Sequence, residues 1–98
     1  MKAILYVVVK GSLQDVRAIQ EILKKRISDI SFSPDREQPS LNDCIEFYAS
    51  FQIEKDQLPA LECFLNNDWT GDSGDLESYG FNTKMFDSRV YYLRLQYD

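Results

Sequence analysis

The segment CIEFYASFQI, residues 44–53, alternates strictly between apolar and polar side chains from its second residue onwards. Successive side chains in a β-strand point to opposite faces, so this alternation indicates a strand with one buried face and one open face. The apolar set is Ile45, Phe47, Ala49, Phe51 and Ile53, and the opposite set is Glu46, Tyr48, Ser50 and Gln52. We therefore predict a sheet whose second face meets solvent or a partner.

Two segments near the start of the chain are predicted to be a central strand and a helix. Residues 3–9, AILYVVV, are apolar and rich in β-branched side chains, which is typical of a central strand. Residues 13–30 repeat apolar side chains at steps of three and four, which predicts an amphipathic helix. Ser12 followed by Asp15 resembles a capping box and places the start of that helix.

The remaining elements follow from shorter signals. Asp56 is expected to cap a second helix, whose apolar side chains are Leu58, Leu61, Phe64 and Leu65. Residues 30–33, 79–86 and 90–97 are predicted as strands, the last two forming a hairpin, and residues 66–77 as an acidic loop. The order β-α-β-β-α-β-β over a single domain, 1–98, resembles the ferredoxin-like plan. That resemblance implies an α+β two-layer sandwich, a mostly antiparallel sheet and both helices on one face.

The chain contains no histidine. Histidine is the usual general base near neutral pH and the commonest metal ligand, so its absence excludes nucleophiles activated by histidine within the chain. Cys44 and Cys63 lack the spacing of a metal or redox motif and are expected to be small buried hydrophobes. We therefore predict a protein that is not an enzyme and that uses no metal or cofactor.

Charge is distributed unevenly along the chain. Residues 1–36 carry a net charge of +3, whereas residues 37–80 hold ten acidic side chains against Lys55 alone, a net charge of −9. An acidic surface speeds association with basic partners and disfavours direct binding of nucleic acid. The apolar run 3–9 is too short to span a membrane and no export signal is visible, so we expect a cytoplasmic protein without a membrane partner.

The acidic stretch NNDWTGDSGDLE, residues 66–77, resembles two known patterns. Its spacing is similar to an EF-hand loop, with Asn66 at position one, Gly71 at position six and Glu77 at position twelve, which implies calcium binding. Position one lacks its carboxylate, however, and a strand is predicted after residue 77 where an EF-hand has a helix. GDSGD resembles the nucleophile segment of trypsin-like proteases, but the chain has no histidine base.

Trp69, in the middle of this stretch, has two interpretations. Tryptophan is enriched at the centres of protein interfaces, and flanking carboxylates suit a basic target. Alternatively, Trp69 closes the core at the end of the second helix.

ILYVVVKG on the first predicted strand and IEFYASFQI on the third resemble the central strands of an RNA-recognition motif, with Tyr6 and Tyr48 at the positions that would stack bases. That resemblance implies RNA binding. The family's basic residue and glycine before the second aromatic are missing, and Glu46 would share the face with Tyr48. The alternative is that Tyr6 and Tyr48 form a cross-strand pair.

In size, acidity and lack of a catalytic constellation, the chain resembles immunity and antitoxin proteins and phage-encoded inhibitors of nucleic-acid-handling enzymes. This resemblance implies a small inhibitor that neutralises a basic protein partner. The predicted contact set is Asp68, Trp69, Asp72, Asp75, Glu77, Glu46 and Tyr48. The alternative is a homo-oligomeric regulatory or ligand-binding module, a homodimer in its simplest form, that pairs through Tyr6, Tyr48 and Tyr92.

Overall fold

The computed structural model describes residues 1–81 and 85–98 and has a mixed α+β architecture. Within these residues, the chain forms two helices and seven strands. The helices are α1 (Leu13–Arg26) and α2 (Leu58–Leu65), and a short 3₁₀ turn (Lys55–Gln57) precedes α2. The strands are β1 (Lys2–Lys10), β2 (Ser31–Phe32), β3 (Arg36–Glu37), β4 (Cys44–Gln52), β5 (Thr70–Asp72), β6 (Asp75–Tyr79) and β7 (Val90–Tyr97).

The seven strands form a single antiparallel sheet in the order β2-β4-β1-β7-β6-β5, and β3 also pairs with β4. Strand β1 lies at the centre, with β4 on one side and β7 on the other. The predicted combination of two helices with a mostly antiparallel sheet is therefore confirmed.

The core lies between the helices and one face of the sheet. On β1 it contains Ala3, Leu5, Val7 and Val9, all of which are fully buried. The same cluster includes Val16, Ile19 and Leu23 of α1 and Leu61 and Leu65 of α2. Because both helices contact the cluster that holds the odd-numbered residues of β1, both lie on this face of the sheet. Phe47, Ala49 and Phe51 also belong to this cluster, and Ile45 and Ile53 pack against it, as the alternation predicts.

The ends of the two helices follow local rules. At the start of α1, the Ser12 backbone N–H donates to the Asp15 carboxylate at 2.8 Å, which confirms the predicted capping box. The prediction that Asp56 caps α2 is wrong: Asp56 lies within the 3₁₀ turn, and the N-cap residue of α2 is Gln57. Glu54 is the N-cap residue of the 3₁₀ turn, and its backbone N–H donates to the Gln57 side chain at 3.1 Å.

The stretch 66–77 is not a loop. Strands β5 and β6 pair within it, with Thr70 opposite Glu77 and Asp72 opposite Asp75, and Ser73 and Gly74 connect them. Strand β7 pairs with β6, so the hairpin partner of β7 is Asp75–Tyr79 and not the predicted strand 79–86. Of that predicted strand, only Tyr79 belongs to a strand, and residues 82–84 lie outside the described part of the chain.

The two cysteines differ in environment. Cys44 is buried as expected, but Cys63 is exposed on α2, so the prediction that both are buried is wrong for Cys63. A short helix turns only part of its surface to the core, and the buried positions of α2 are Leu58, Leu61 and Leu65. Within the described chain, neither helix has the length and apolar character needed to cross a membrane.

A substitution of Gly71 tests whether the β5–β6 hairpin forms. Its φ is +117°, and a Cβ there would lie 2.4 Å from the Asp75 carbonyl oxygen. We expect Gly71→Ala to lower the free energy of unfolding by about 2 kcal/mol, because it adds backbone strain and a clash with the paired strand. Ser73→Ala in the exposed turn is the control and should stay within about 0.5 kcal/mol of the wild type in urea unfolding. Equal stability of the two variants would contradict the hairpin.

Candidate functional site

The face of the sheet opposite the helices is lined by four tyrosines, which we call the tyrosine face: Tyr6, Tyr48, Tyr79 and Tyr92. They come from β1, β4, β6 and β7, and the register places Tyr6 opposite Tyr48 and Tyr79 opposite Tyr92. Tyr48 is 46% exposed and Tyr79 is 37% exposed. Because both helices pack on the other face, this aromatic surface is open to solvent.

The four rings contact one another across the sheet. Ring centroids lie 4.9 Å apart for Tyr6 and Tyr48, 5.9 Å for Tyr6 and Tyr92, and 5.0 Å for Tyr79 and Tyr92. All three pairs are tilted or edge-on, which suits the charge distribution of aromatic rings. The tyrosine face is therefore a continuous row that crosses four strands.

A buried carboxylate, that of Glu46, holds Tyr6 in place near the β4 end of the row. Its side chain is only 2% exposed. The Tyr6 hydroxyl and the Gln38 side-chain amide each donate to its Oε1 at 2.8 Å, and Arg36 forms an ion pair with its Oε2. A buried carboxylate is stable only when it is paired and hydrogen-bonded, and these three partners satisfy it. Glu46 therefore fixes the Tyr6 ring and ties β3 to the sheet.

Glu77 has the same role at the other end of the row. Its Oε2 accepts a hydrogen bond from the Tyr92 hydroxyl at 2.7 Å and another from the Tyr79 hydroxyl at 3.2 Å. The negative charge of Glu77 raises the pKa of Tyr79, and burial followed by the Glu77 hydrogen bond raises the pKa of Tyr92. Each carboxylate thus holds tyrosine hydroxyls in their neutral, donating form.

Asp75 and Asp72 lie at the tip of the β5–β6 hairpin. Arg94 of β7 donates to both carboxylate oxygens of Asp75, at 2.8 Å and 2.9 Å, and this pairing lowers the pKa of Asp75. Asp72 is opposite Asp75 in the register, so its side chain is on the same face of the sheet. Asp72 is exposed and makes no ion pair with the described residues.

Five of the seven residues predicted as partner contacts lie on this face: Glu46, Tyr48, Asp72, Asp75 and Glu77. Trp69 lies on the core side, and Asp68 lies outside the strands. Asp68 is exposed before β5, and its backbone oxygen accepts a hydrogen bond from the Ser78 hydroxyl at 2.7 Å. Trp69 is half-buried against the core, and its Nε1–H donates to the backbone oxygens of both Glu62 and Asn66, each with an N···O distance of 3.1 Å. This position matches the interpretation in which Trp69 closes the core.

Several residues of the site were not predicted as contacts, namely Tyr79, Arg36, Gln38 and Arg94. For Tyr79, the signal is the alternation Asp75, Glu77, Tyr79, which places all three side chains on one face of a strand. Arg36 and Gln38 belong to a segment with two prolines that gives no strand pattern. Only tertiary structure brings them to Glu46.

The geometry does not assemble an ion-binding loop from residues 66–77. The Asn66 side chain, at position one of the EF-hand pattern, is buried, and its Oδ1 accepts the Asn67 backbone N–H at 2.6 Å. Glu77, at position twelve, faces the tyrosines. In the part of the chain that the structure describes, no three His, Cys, Asp or Glu side chains are grouped so that they could hold a metal ion.

Comparison with models of known protein families, with curated protein sequences and with solved structures finds no match for this chain.

A substitution of Tyr6 tests whether the Glu46 carboxylate holds the Tyr6 hydroxyl in place. Burial and then the Glu46 hydrogen bond raise the pKa of Tyr6 to about 12 in the folded protein. The unfolded chain releases this proton near its ordinary value, so the resulting stability is present below about pH 10 and is lost as the pH rises towards 12. We expect Tyr6→Phe to reduce the loss of unfolding free energy between about pH 10 and pH 12, measured by urea unfolding.

Tyr92→Phe should act in the same direction, because the pKa of Tyr92 is also raised. Absorbance of tyrosinate, followed in parallel, should lose a late-titrating component in each variant. An unchanged pH dependence in Tyr6→Phe would contradict the anchoring by Glu46.

Proposed function

We propose that this protein is a non-catalytic binding module that inhibits a basic protein partner by docking its tyrosine face on that partner. The observation that carries the proposal is the open row of four tyrosines, held in place by Glu46 and Glu77. Aromatic side chains on an uncovered sheet face are suited to contact with another protein.

Preorganisation supports the proposal. Tyrosine offers a large contact area at a small cost in conformational entropy, and that cost falls further when the ring is already fixed. The hydroxyls of Tyr6, Tyr79 and Tyr92 donate to carboxylates within the chain. A partner that docks here meets a surface that is ordered before binding.

Charge supports a basic partner. The part of the face built from β5, β6 and β7 carries three carboxylates, Asp72, Asp75 and Glu77, against the one guanidinium of Arg94, a net charge of −2. Such a field steers a cationic partner into contact and competes with the phosphates of a nucleic acid. Immunity proteins, antitoxins and phage inhibitors of nucleic-acid-handling enzymes are the classes that fit this description, and we propose the cytoplasm as the site of action.

We also infer that the fold follows the ferredoxin-like plan, enlarged by one hairpin. If β2 and β3 count as two pieces of one edge strand and the β5–β6 hairpin is set aside, the succession of elements is β-α-β-β-α-β. The hairpin extends the sheet beyond β7. In this view, the β5–β6 insertion supplies the acidic end of the tyrosine face.

A second candidate function uses the same surface for pairing with another copy of the chain. The exposure of Tyr48 and Tyr79 favours it, because an open aromatic face can bury itself in a symmetric dimer. The two candidates differ in the partner and not in the surface.

Site-specific cross-linking tests the proposal. A photoreactive phenylalanine analogue is placed at Tyr48, and a matched control carries it at Gln14, which is exposed on α1. In cells that make the protein, we expect a basic protein to be cross-linked from position 48 and not from position 14. The purified partner should lose its activity when the protein is added, and Asp72→Lys should weaken the inhibition by about tenfold or more.

Cross-linking of the protein to itself from position 48 would support the dimer instead. Cross-linking only from position 14 would overturn both candidates.

A further inference from the structure

We propose that Glu77, Tyr79 and Phe81, which we call the arginine site, bind an arginine side chain of the protein partner. This inference rests on the proposed function and specifies the chemistry at one end of the tyrosine face. It is carried by three features: an exposed pair of aromatic rings, a carboxylate with one oxygen available, and the engagement of the neighbouring arginine elsewhere.

The aromatic pair extends the tyrosine row beyond β6. Phe81 is 66% exposed, and its ring centroid lies 5.4 Å from that of Tyr79 with the ring planes 51° apart. Phe81 also contacts Tyr91, with 5.9 Å between ring centroids. Two tilted rings that both face solvent form a shallow wedge on which a flat cation can stack.

Glu77 supplies the negative charge beside this wedge. The hydroxyls of Tyr79 and Tyr92 both donate to the same oxygen of Glu77, Oε2. Its Oε1 receives no hydrogen bond from the described residues, while the two bonds to Oε2 fix the plane of the carboxylate. The chain therefore orients the Glu77 carboxylate but forms hydrogen bonds to only one of its two oxygens.

Arg94 is the guanidinium opposite Glu77 in the sheet register. It forms its ion pair with Asp75, to which it donates through both Nε and a terminal nitrogen. The hydrogen bond to Asp75 is the main cause of the raised pKa of Arg94, and the charge of Glu77 is the smallest. Glu77 forms no ion pair with the described residues. A cation from a partner can fill that place.

The geometry favours arginine over lysine. A guanidinium is planar, so it can stack on the ring of Phe81 or Tyr79 and at the same time donate in its own plane to Oε1 of Glu77. An ammonium group is a compact and strongly hydrated charge that gains less from stacking. A partner with arginine at the contact should therefore be preferred over one with lysine.

The test uses two synthetic peptides of equal length and charge, one with four arginines and one with four lysines, each separated by glycine and serine. Binding to the full-length protein is followed by changes in backbone amide NMR signals. We expect the arginine peptide to shift the signals of Glu77, Tyr79 and Phe81 and to bind about fivefold more tightly than the lysine peptide. Glu77→Gln and Phe81→Ala should each remove this preference.

Asp56→Asn is the matched control, because Asp56 is an exposed carboxylate in the turn before α2. It should keep the preference for arginine, and circular dichroism should show that all three variants are folded. Equal binding of both peptides, or an equal loss in Asp56→Asn, would overturn the arginine site. Self-association that Glu77→Gln abolishes, without peptide binding, would also overturn it, because the occupant would be a second copy.

The peptide and cross-linking experiments together separate an error in the arginine site from an error in the proposed function. If neither peptide binds but Tyr48 still cross-links to a basic inhibited partner, only the arginine site is wrong. If Tyr48 cross-links to no other protein, the proposed function is wrong as well.

Discussion

Strand β1 is hydrogen-bonded on both of its sides, to β4 and to β7, and its odd-numbered side chains are completely buried against the helices. A shift of one residue in either register would turn Leu5 and Val7 to solvent and Tyr6 into the core. The burial of these side chains therefore fixes which side chains of the neighbouring strands reach the open face. Tyr48, Arg94 and Tyr92 occupy their positions there because β1 is held in one register.

The open face is polar in composition but largely satisfied within the chain. Tyr6 is bound to Glu46, Tyr92 to Glu77 and Arg94 to Asp75. Each pairing removes one group from the set that a partner could use and makes the remaining surface more rigid. What is left for recognition is the exposed area of the outer tyrosines and Phe81, with Asp72 and one oxygen of Glu77. This division between anchoring groups and available groups is the basis of the proposed function.

The acidity of residues 37–80 is divided among different surfaces of the molecule. Glu46 is buried in an ion pair, Asp75 is paired with Arg94, and Glu54 and Asp56 lie in the turn before α2, while the hairpin carries Asp72 and Glu77. A net charge counted along the sequence therefore overstates the field at any one surface. The proposed basic partner is therefore matched to the β5–β6 end of the tyrosine face, where Asp72 and Glu77 lie.

The sequence by itself determined the elements whose patterns are long and whose causes are local. The alternation of residues 45–53, the apolar run 3–9 and the periodicity of residues 13–30 each specify an element and its buried face, because side-chain direction follows from backbone geometry. The periodicity of residues 13–30 overextends its helix, because α1 ends at Arg26 before Ile27 and Ile30, and Leu13 is 53% exposed. The lack of histidine and the acidity of the middle segment are likewise read directly from composition. Tertiary structure alone decided the pairing of β6 with β7, since GDSGD has the composition of a loop, whereas in the fold it forms part of a hairpin that pairs with β7 and in which Arg94 binds Asp75. It also decided that Glu46 is buried and that Trp69 closes the core. Both outcomes depend on groups that no local pattern brings together. Glu46, for example, is bound by Arg36 and Tyr6, which lie elsewhere in the chain.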